Sequence, residues 1–118
     1  METMPQALIV EDDEDLSIIF TEALNMAGFV TKTIRDGQEA VDLLETYVPT
    51  VVVLDLHLPH VNGLDILAKI RGDERLKDAK VIISTADPRM SDMAEDADFV
   101  LIKPISFAQL RDLSKRLR

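Results

Sequence analysis

The chain has no cysteine. That removes disulfides, thiolate metal sites and thiol nucleophiles, and it fits a reducing compartment. Basic residues are also scarce: 13 Lys and Arg stand against 22 Asp and Glu, a formal net charge of −9. This balance argues against nucleic acid or an anionic membrane as a partner of the domain. No apolar run approaches the ~20 residues that span a bilayer. The start, METMPQALIVEDD, lacks the basic-then-apolar layout of a secretory signal. A cytoplasmic location is the default expectation. Repeats, low-complexity tracts and interior linkers are missing too.

What is present suits one globular domain over residues 1–118, with 47% apolar and 30% charged residues. Ala7-Leu8-Ile9-Val10 is a short apolar run that stops at Glu11-Asp12-Asp13 and reads as a buried strand. Leu16, Ile19, Phe20, Ala23, Leu24 and Ala27 recur on one face of a helix that Gly28 ends. Residues 29–34 alternate less cleanly, as an edge strand does. Asp36 is a candidate N-cap, with Glu39 at the reciprocal position. Ala40, Val41, Leu44 and Val48 form that second helix's inner face, and Pro49 closes it.

Val51 to Leu54 is the third strand, delivering Asp55. A third helix follows Asn62-Gly63, with Leu64, Leu67 and Ile70 facing inward. Val81 to Ile83 runs on to Ser84-Thr85, and Phe99 to Ile102 stops at Lys103-Pro104. Ser106 and Gln109 open a last helix with Phe107, Leu110, Leu113 and Leu117 inward. Residues 87–98 hold Pro88, two methionines and several acids, and predict a short or mobile helix. Alternating strands and helices with near-continuous Val/Ile/Leu strands predict a doubly wound, five-stranded parallel α/β domain.

In such a sheet the working residues gather at the carboxyl ends of the strands. Those ends carry Glu11-Asp12-Asp13, Asp55, Ser84-Thr85 and Lys103. Carboxylates brought together repel one another, and a bound cation relieves that. Oxygen ligands suit Mg²⁺, which keeps water and accepts a phosphate oxygen. A lysine and a threonine can hold phosphoryl oxygens, and a carboxylate can attack phosphorus.

Singly, each residue has an ordinary reading. Asp13 and Asp36 are helix caps, Thr85 a strand-end hydroxyl and Lys103 a surface charge. His57 and His60 lack a third ligand nearby for zinc. Met90 and Met93 are gap-fillers or a contact surface. At four strand ends in order, chance convergence is the weaker explanation.

The segments LIVEDDEDL, RDGQEAVDLL, VVVLDLHLPHVNGLDIL, VIISTA and LIKPIS, in that order, resemble the receiver domain of bacterial two-component response regulators. The resemblance covers nearly the whole chain. It implies a flavodoxin-like sheet of order 2-1-3-4-5. It implies that Asp55 accepts a phosphoryl group from a phosphohistidine on a sensor histidine kinase or phosphotransfer protein. Mg²⁺ would be held by Asp12, by Glu11 through water, by Asp55 and by the His57 backbone carbonyl. Lys103 would pair with Asp55 and then with the phosphoryl group, and Thr85 would turn toward it. The Lys103-Pro104 bond would be cis. Output would pass to a second copy or a downstream effector, so the domain would be a signalling phosphoacceptor rather than an enzyme.

Three features depart from that pattern. Val100 stands where most receivers have an aromatic switch residue, and Phe99 beside it should point to the opposite sheet face. The Thr85-to-Lys103 segment is short, so the fourth helix is expected to be truncated or disordered. His57 and Asp87 occupy the two positions that tune dephosphorylation in the family. A receiver-like module that no longer switches is therefore the competing expectation. A phosphohydrolase would need an acid at His57, and a flavodoxin a hydroxyl- and glycine-rich loop at residues 11–13.

Overall fold

The computed structural model describes residues 4–118. Five parallel strands, β1 (Gln6–Val10), β2 (Val30–Ile34), β3 (Val51–Asp55), β4 (Lys80–Thr85) and β5 (Phe99–Ile102), form one sheet ordered β2-β1-β3-β4-β5. Helices α1 (Glu14–Met26) and α4 (Phe107–Lys115) cover one face, and α2 (Gly37–Leu44) and α3 (Gly63–Gly72) the other. No helix among the described residues is long and apolar enough to cross a membrane.

The two-residue period of a strand sorts the aliphatic side chains. Leu8, Val10, Val52, Leu54, Val81 and Ile83 pack with Ala40, Leu44, Ile66, Leu67 and Ile70. Ala7, Ile9, Val51, Val53 and Ile82 pack with Phe20, Ala23, Leu24 and Leu110 on the other face. Each fully buried Leu or Ile contributes about 1.5–3 kcal/mol. All of β3 is buried, so Asp55 leaves the sheet from its most enclosed strand.

Asp13, Asp36, Asn62 and Ser106 cap the four helices, each side chain accepting the N–H three residues on. Several expected details shift. α2 ends at Leu44, and Val48 is exposed instead of inward. Pro49 disfavours the helical backbone at Val48, so the helical spacing does not carry through to it. Ile19 lies outside the buried stripe of α1, where Ser17 takes a contact position. In α3, Ile66 is fully buried and Leu64 only partly.

Between β4 and β5 the expected fourth helix is a single 3₁₀ turn, Pro88–Ser91. The segment is tied down nonetheless. Ala94 is buried, and Met90 and Ala97 pack against the α2/α3 side of the core. Arg71, at the end of α3, donates to the Asp96 carbonyl and the Asp98 carboxylate of this segment and to the Lys77 and Ala79 carbonyls just before β4. Asp98 in turn accepts the Val81 N–H at 2.8 Å.

Candidate functional site

β1 and β3 are neighbours whose onward connections lead to opposite sides of the sheet. A crevice opens between their carboxyl ends. Glu11 extends the β1 ladder by one bond, its N–H donating to the Ile34 carbonyl at 3.1 Å. Its side chain is 1% exposed, whereas Asp12 beside it is open to solvent. Asp55 is 3% exposed, and its Oδ1 accepts the His57 N–H at 3.1 Å.

Two glycines set the loop that follows. A Cβ on Gly63 would lie 2.4 Å from the Asp55 carbonyl oxygen, so only glycine lets α3 start so close to β3. A Cβ on Gly37 would lie 2.0 Å from the Val61 carbonyl oxygen. The Gly37 N–H donates to the Pro59 carbonyl, and the His60 ring pairs with Asp36. The chain around His57 is thus held between two helix starts.

From the opposite side, Lys103 reaches in with Nζ 2.9 Å from Glu11 Oε1 and 3.6 Å from Asp55 Oδ2. The Lys103-Pro104 peptide bond is cis, as the sequence resemblance implied. The Lys103 N–H donates to the Thr85 carbonyl at 2.8 Å, fixing the base of that side chain to β4. Thr85 is fully buried, and its Oγ1 accepts the Asp87 N–H at 3.1 Å. Val100 pairs in register with Ile83 and packs on the α2/α3 side of the core, the side to which Thr85 belongs by alternation. Phe99 lies on the other face at the sheet edge, 37% exposed, as expected.

Burial governs the charges. It raises the Glu11 carboxyl to about 7; Lys103 opposes this and Asp55 adds to it. Burial also raises Asp55, against the His57 N–H and the Lys103 ammonium. Burial alone would lower Lys103, but Glu11 and Asp55 outweigh it and hold its ammonium above the ordinary value. Glu11 Oε1 is buried without an aligned hydrogen bond, despite the nearby ammonium. Carboxylate oxygens of Glu11, Asp12 and Asp55 lie within 4.8 Å of one another. An oxygen-only cluster with an unsatisfied buried oxygen fits a hard divalent cation. The His57 and His60 rings are not part of it.

All the carboxylates, the lysine and the threonine singled out in the sequence therefore meet at one edge. Two arginines were not foreseen. Arg35 donates from Nε and Nη2 to the Asp12 carbonyl at 3.2 and 2.9 Å, bracing the acidic turn. Its signal was its position just past β2, at the same sheet edge. Arg89 closes on Asp87, a carboxyl that it holds below the usual range.

The sequence pattern of the response regulator receiver domain family matches residues 7–115. The DNA-binding dual master transcriptional regulator RpaA of Synechocystis is 33% identical, over 96% of this chain and 50% of that protein. The probable methanogenesis regulatory protein FilR2 of Methanothrix harundinacea is 32% identical, over 88% of this chain and 75% of that protein. The probable transcriptional regulator ycf27 of Guillardia theta is 32% identical over the full chain, which spans 46% of it. A CheY-like receiver domain from Methylobacillus flagellatus superposes with a TM-score of 0.83 at 30% identity, over 98% of this chain and all of that one. Chemotaxis response regulator CheY4 of Vibrio cholerae shares the fold, with a TM-score of 0.86 at 21% identity, covering 98% and 100%.

Proposed function

The chain belongs to the response regulator receiver domain family, phosphoacceptor modules of two-component signalling, and on that premise we propose that Asp55 is its phosphoacceptor. The observation that carries this is the buried Asp55 carboxylate, 3.6 Å from the Lys103 ammonium and clustered with Glu11 and Asp12. An Asp55 oxygen forms a bond to the phosphorus of a phosphohistidine on a sensor kinase or phosphotransfer protein. The phosphorus–nitrogen bond breaks, and its electron pair stays on the imidazole, which takes up a proton.

Glu11, Asp12, Asp55 and the His57 carbonyl would hold Mg²⁺, which when bound neutralises phosphoryl charge. Lys103 follows the charge from the Asp55 carboxylate to the phosphoryl oxygens, and its anchored backbone keeps it in reach. Positioning and charge neutralisation supply most of what phosphoryl transfer needs. The Thr85 hydroxyl trades the Asp87 N–H for a phosphoryl oxygen, which shifts the loops after β3 and β4. Val100 packs in the row behind Thr85 and transmits less than a large ring would. His57 and Asp87 set how long the group lasts. The domain holds the phosphoryl group and turns over no separate substrate, and a kinase partner puts it in the cytoplasm. The readout is a second copy or an effector protein.

Incubation with Mg²⁺ and acetyl phosphate, followed by intact mass measurement, tests this. One added phosphoryl group that needs Mg²⁺ and is lost in Asp55→Asn is the expected result. Failure with both acetyl phosphate and a phosphorylated histidine donor would overturn it. Val100 and the lone 3₁₀ turn after Thr85 favour a second reading, a module that is phosphorylated but barely switches. Unchanged amide exchange after phosphorylation would select that reading.

A further inference from the structure

Asp87 occupies an unusual junction. Its backbone N–H donates to Thr85 Oγ1 at 3.1 Å, so it is attached to the buried hydroxyl at the site. Its side chain is engaged elsewhere. Oδ1 accepts the Arg89 N–H and Nε, both at 3.0 Å, and Oδ2 accepts Nη2 at 2.9 Å. Three of the four acceptor positions of the carboxylate are thereby used. The sequence Asp87-Pro88-Arg89 builds this locally: Pro88 presets the turn, and the Arg89 N–H comes back to the aspartate. The Arg89 side chain is 89% exposed, so the clamp lies on the outside of the site.

Once Asp55 carries a phosphoryl group, its loss needs water. The water oxygen bonds to phosphorus while the bond from phosphorus to the Asp55 oxygen breaks. That electron pair restores the Asp55 carboxylate. One water proton must pass to an acceptor and then to the departing phosphate or solvent. Glu11 and Asp12 belong to the cation cluster, and Asp55 is the leaving group. Asp87 is the carboxylate on the β4 side of the mouth.

We propose that Arg89 is a positioning residue that prolongs the phosphorylated state, by holding the Asp87 carboxylate away from the hydrolytic water. This rests on Asp55 being the phosphoacceptor. Asp87 freed from Arg89 can accept the water proton. Arg89 is solvent-exposed and so readily drawn away, which makes the lifetime adjustable by any anion or partner surface that competes for it.

The test is to load the protein with acetyl phosphate and Mg²⁺, remove the donor and follow loss of the added mass. Arg89→Ala should decay about two- to five-fold faster than the parent, the range an exposed ion pair supports. Arg89→Lys, which keeps the charge without the fork, should fall between them. Asp87→Asn should decay no faster than the parent, and adding Arg89→Ala to it should change nothing further. Equal decay of Arg89→Ala and the parent would overturn the clamp alone. So would acceleration that persists in the Asp87→Asn background, since Arg89 would then act without Asp87. If no protein takes up a phosphoryl group, the reading of Asp55 falls first and the clamp with it.

Discussion

The two loops that flank the site are held in different ways. After β3, the chain is fixed by backbone: Gly63 against the Asp55 carbonyl, Gly37 against Val61, and the Gly37 N–H on Pro59. After β4, beyond its own backbone turns, the chain is held by side chains: Arg71 on the Asp96 carbonyl and the Asp98 carboxylate, Arg89 on Asp87, and Ala94 in the core. Backbone contacts cannot adjust without moving an element. Side-chain contacts can exchange one at a time. The first loop is therefore built to present Asp55 in one geometry, and the second to change.

The sharpest way to break this contrast is Gly63→Ala. The added methyl meets a backbone oxygen, and we expect a loss of about 3 kcal/mol, larger than the ~1 kcal/mol that alanine gains in a helix. Urea denaturation measures it, and a neutral result would mean that the first loop yields as easily as the second. The next effect contrasts two acids of the site. Glu11, at the end of β1 and clustered with Asp55, titrates at about 7 in the fold against an ordinary 4.5. Its preference for the proton stabilises the fold fully below pH 4.5 and is lost as pH rises through 7. The metal-free protein should therefore lose up to about 3 kcal/mol from this group across that window. Glu11→Gln should flatten the pH profile, and Mg²⁺ should offset the loss at high pH. Asp87, on the adjustable side, is shifted downward by Arg89 and adds no such slope.

Arg71→Ala should cost about 2 kcal/mol, as the Asp98 carboxylate and several carbonyls lose their donor. Amide exchange should quicken over residues 87–98 and not over residues 57–62. Equal quickening in both loops would erase the distinction. Smallest is Met93→Ala, at a side chain 62% exposed. Stability should stay within about 0.5 kcal/mol, by thermal melting.

The strands and the charged edge could be read in advance because both depend on local pattern. An apolar run ending in Glu11, Asp55, Thr85 or Lys103 states its own burial and exit, and parallel order brings the exits together. The helix faces were less legible where the apolar stripe is wider than the contact. Ile18 and Ile19 are both exposed on α1, while Ser17 is buried. Val48 continued the helical spacing of α2, but the proline after it overrode that spacing. Arg71, Arg35 and Arg89 left little signal, since a long side chain can reach carbonyls far along the chain or just beside it. The roles of Gly37 and Gly63 needed the packing itself, because composition does not reveal what a missing methyl avoids.

Glu11 lies near one end of the chain and Lys103 near the other, yet their charges are 2.9 Å apart. Such a pair is among the last contacts that a growing or refolding chain can make, because closing so long a loop requires the intervening elements to be in place. A nascent chain that has not yet delivered β5 has Glu11, Asp12 and Asp55 but lacks the Lys103 counter-charge. With Asp55 in its proposed role, competence to accept a phosphoryl group is postponed until β5 is in place.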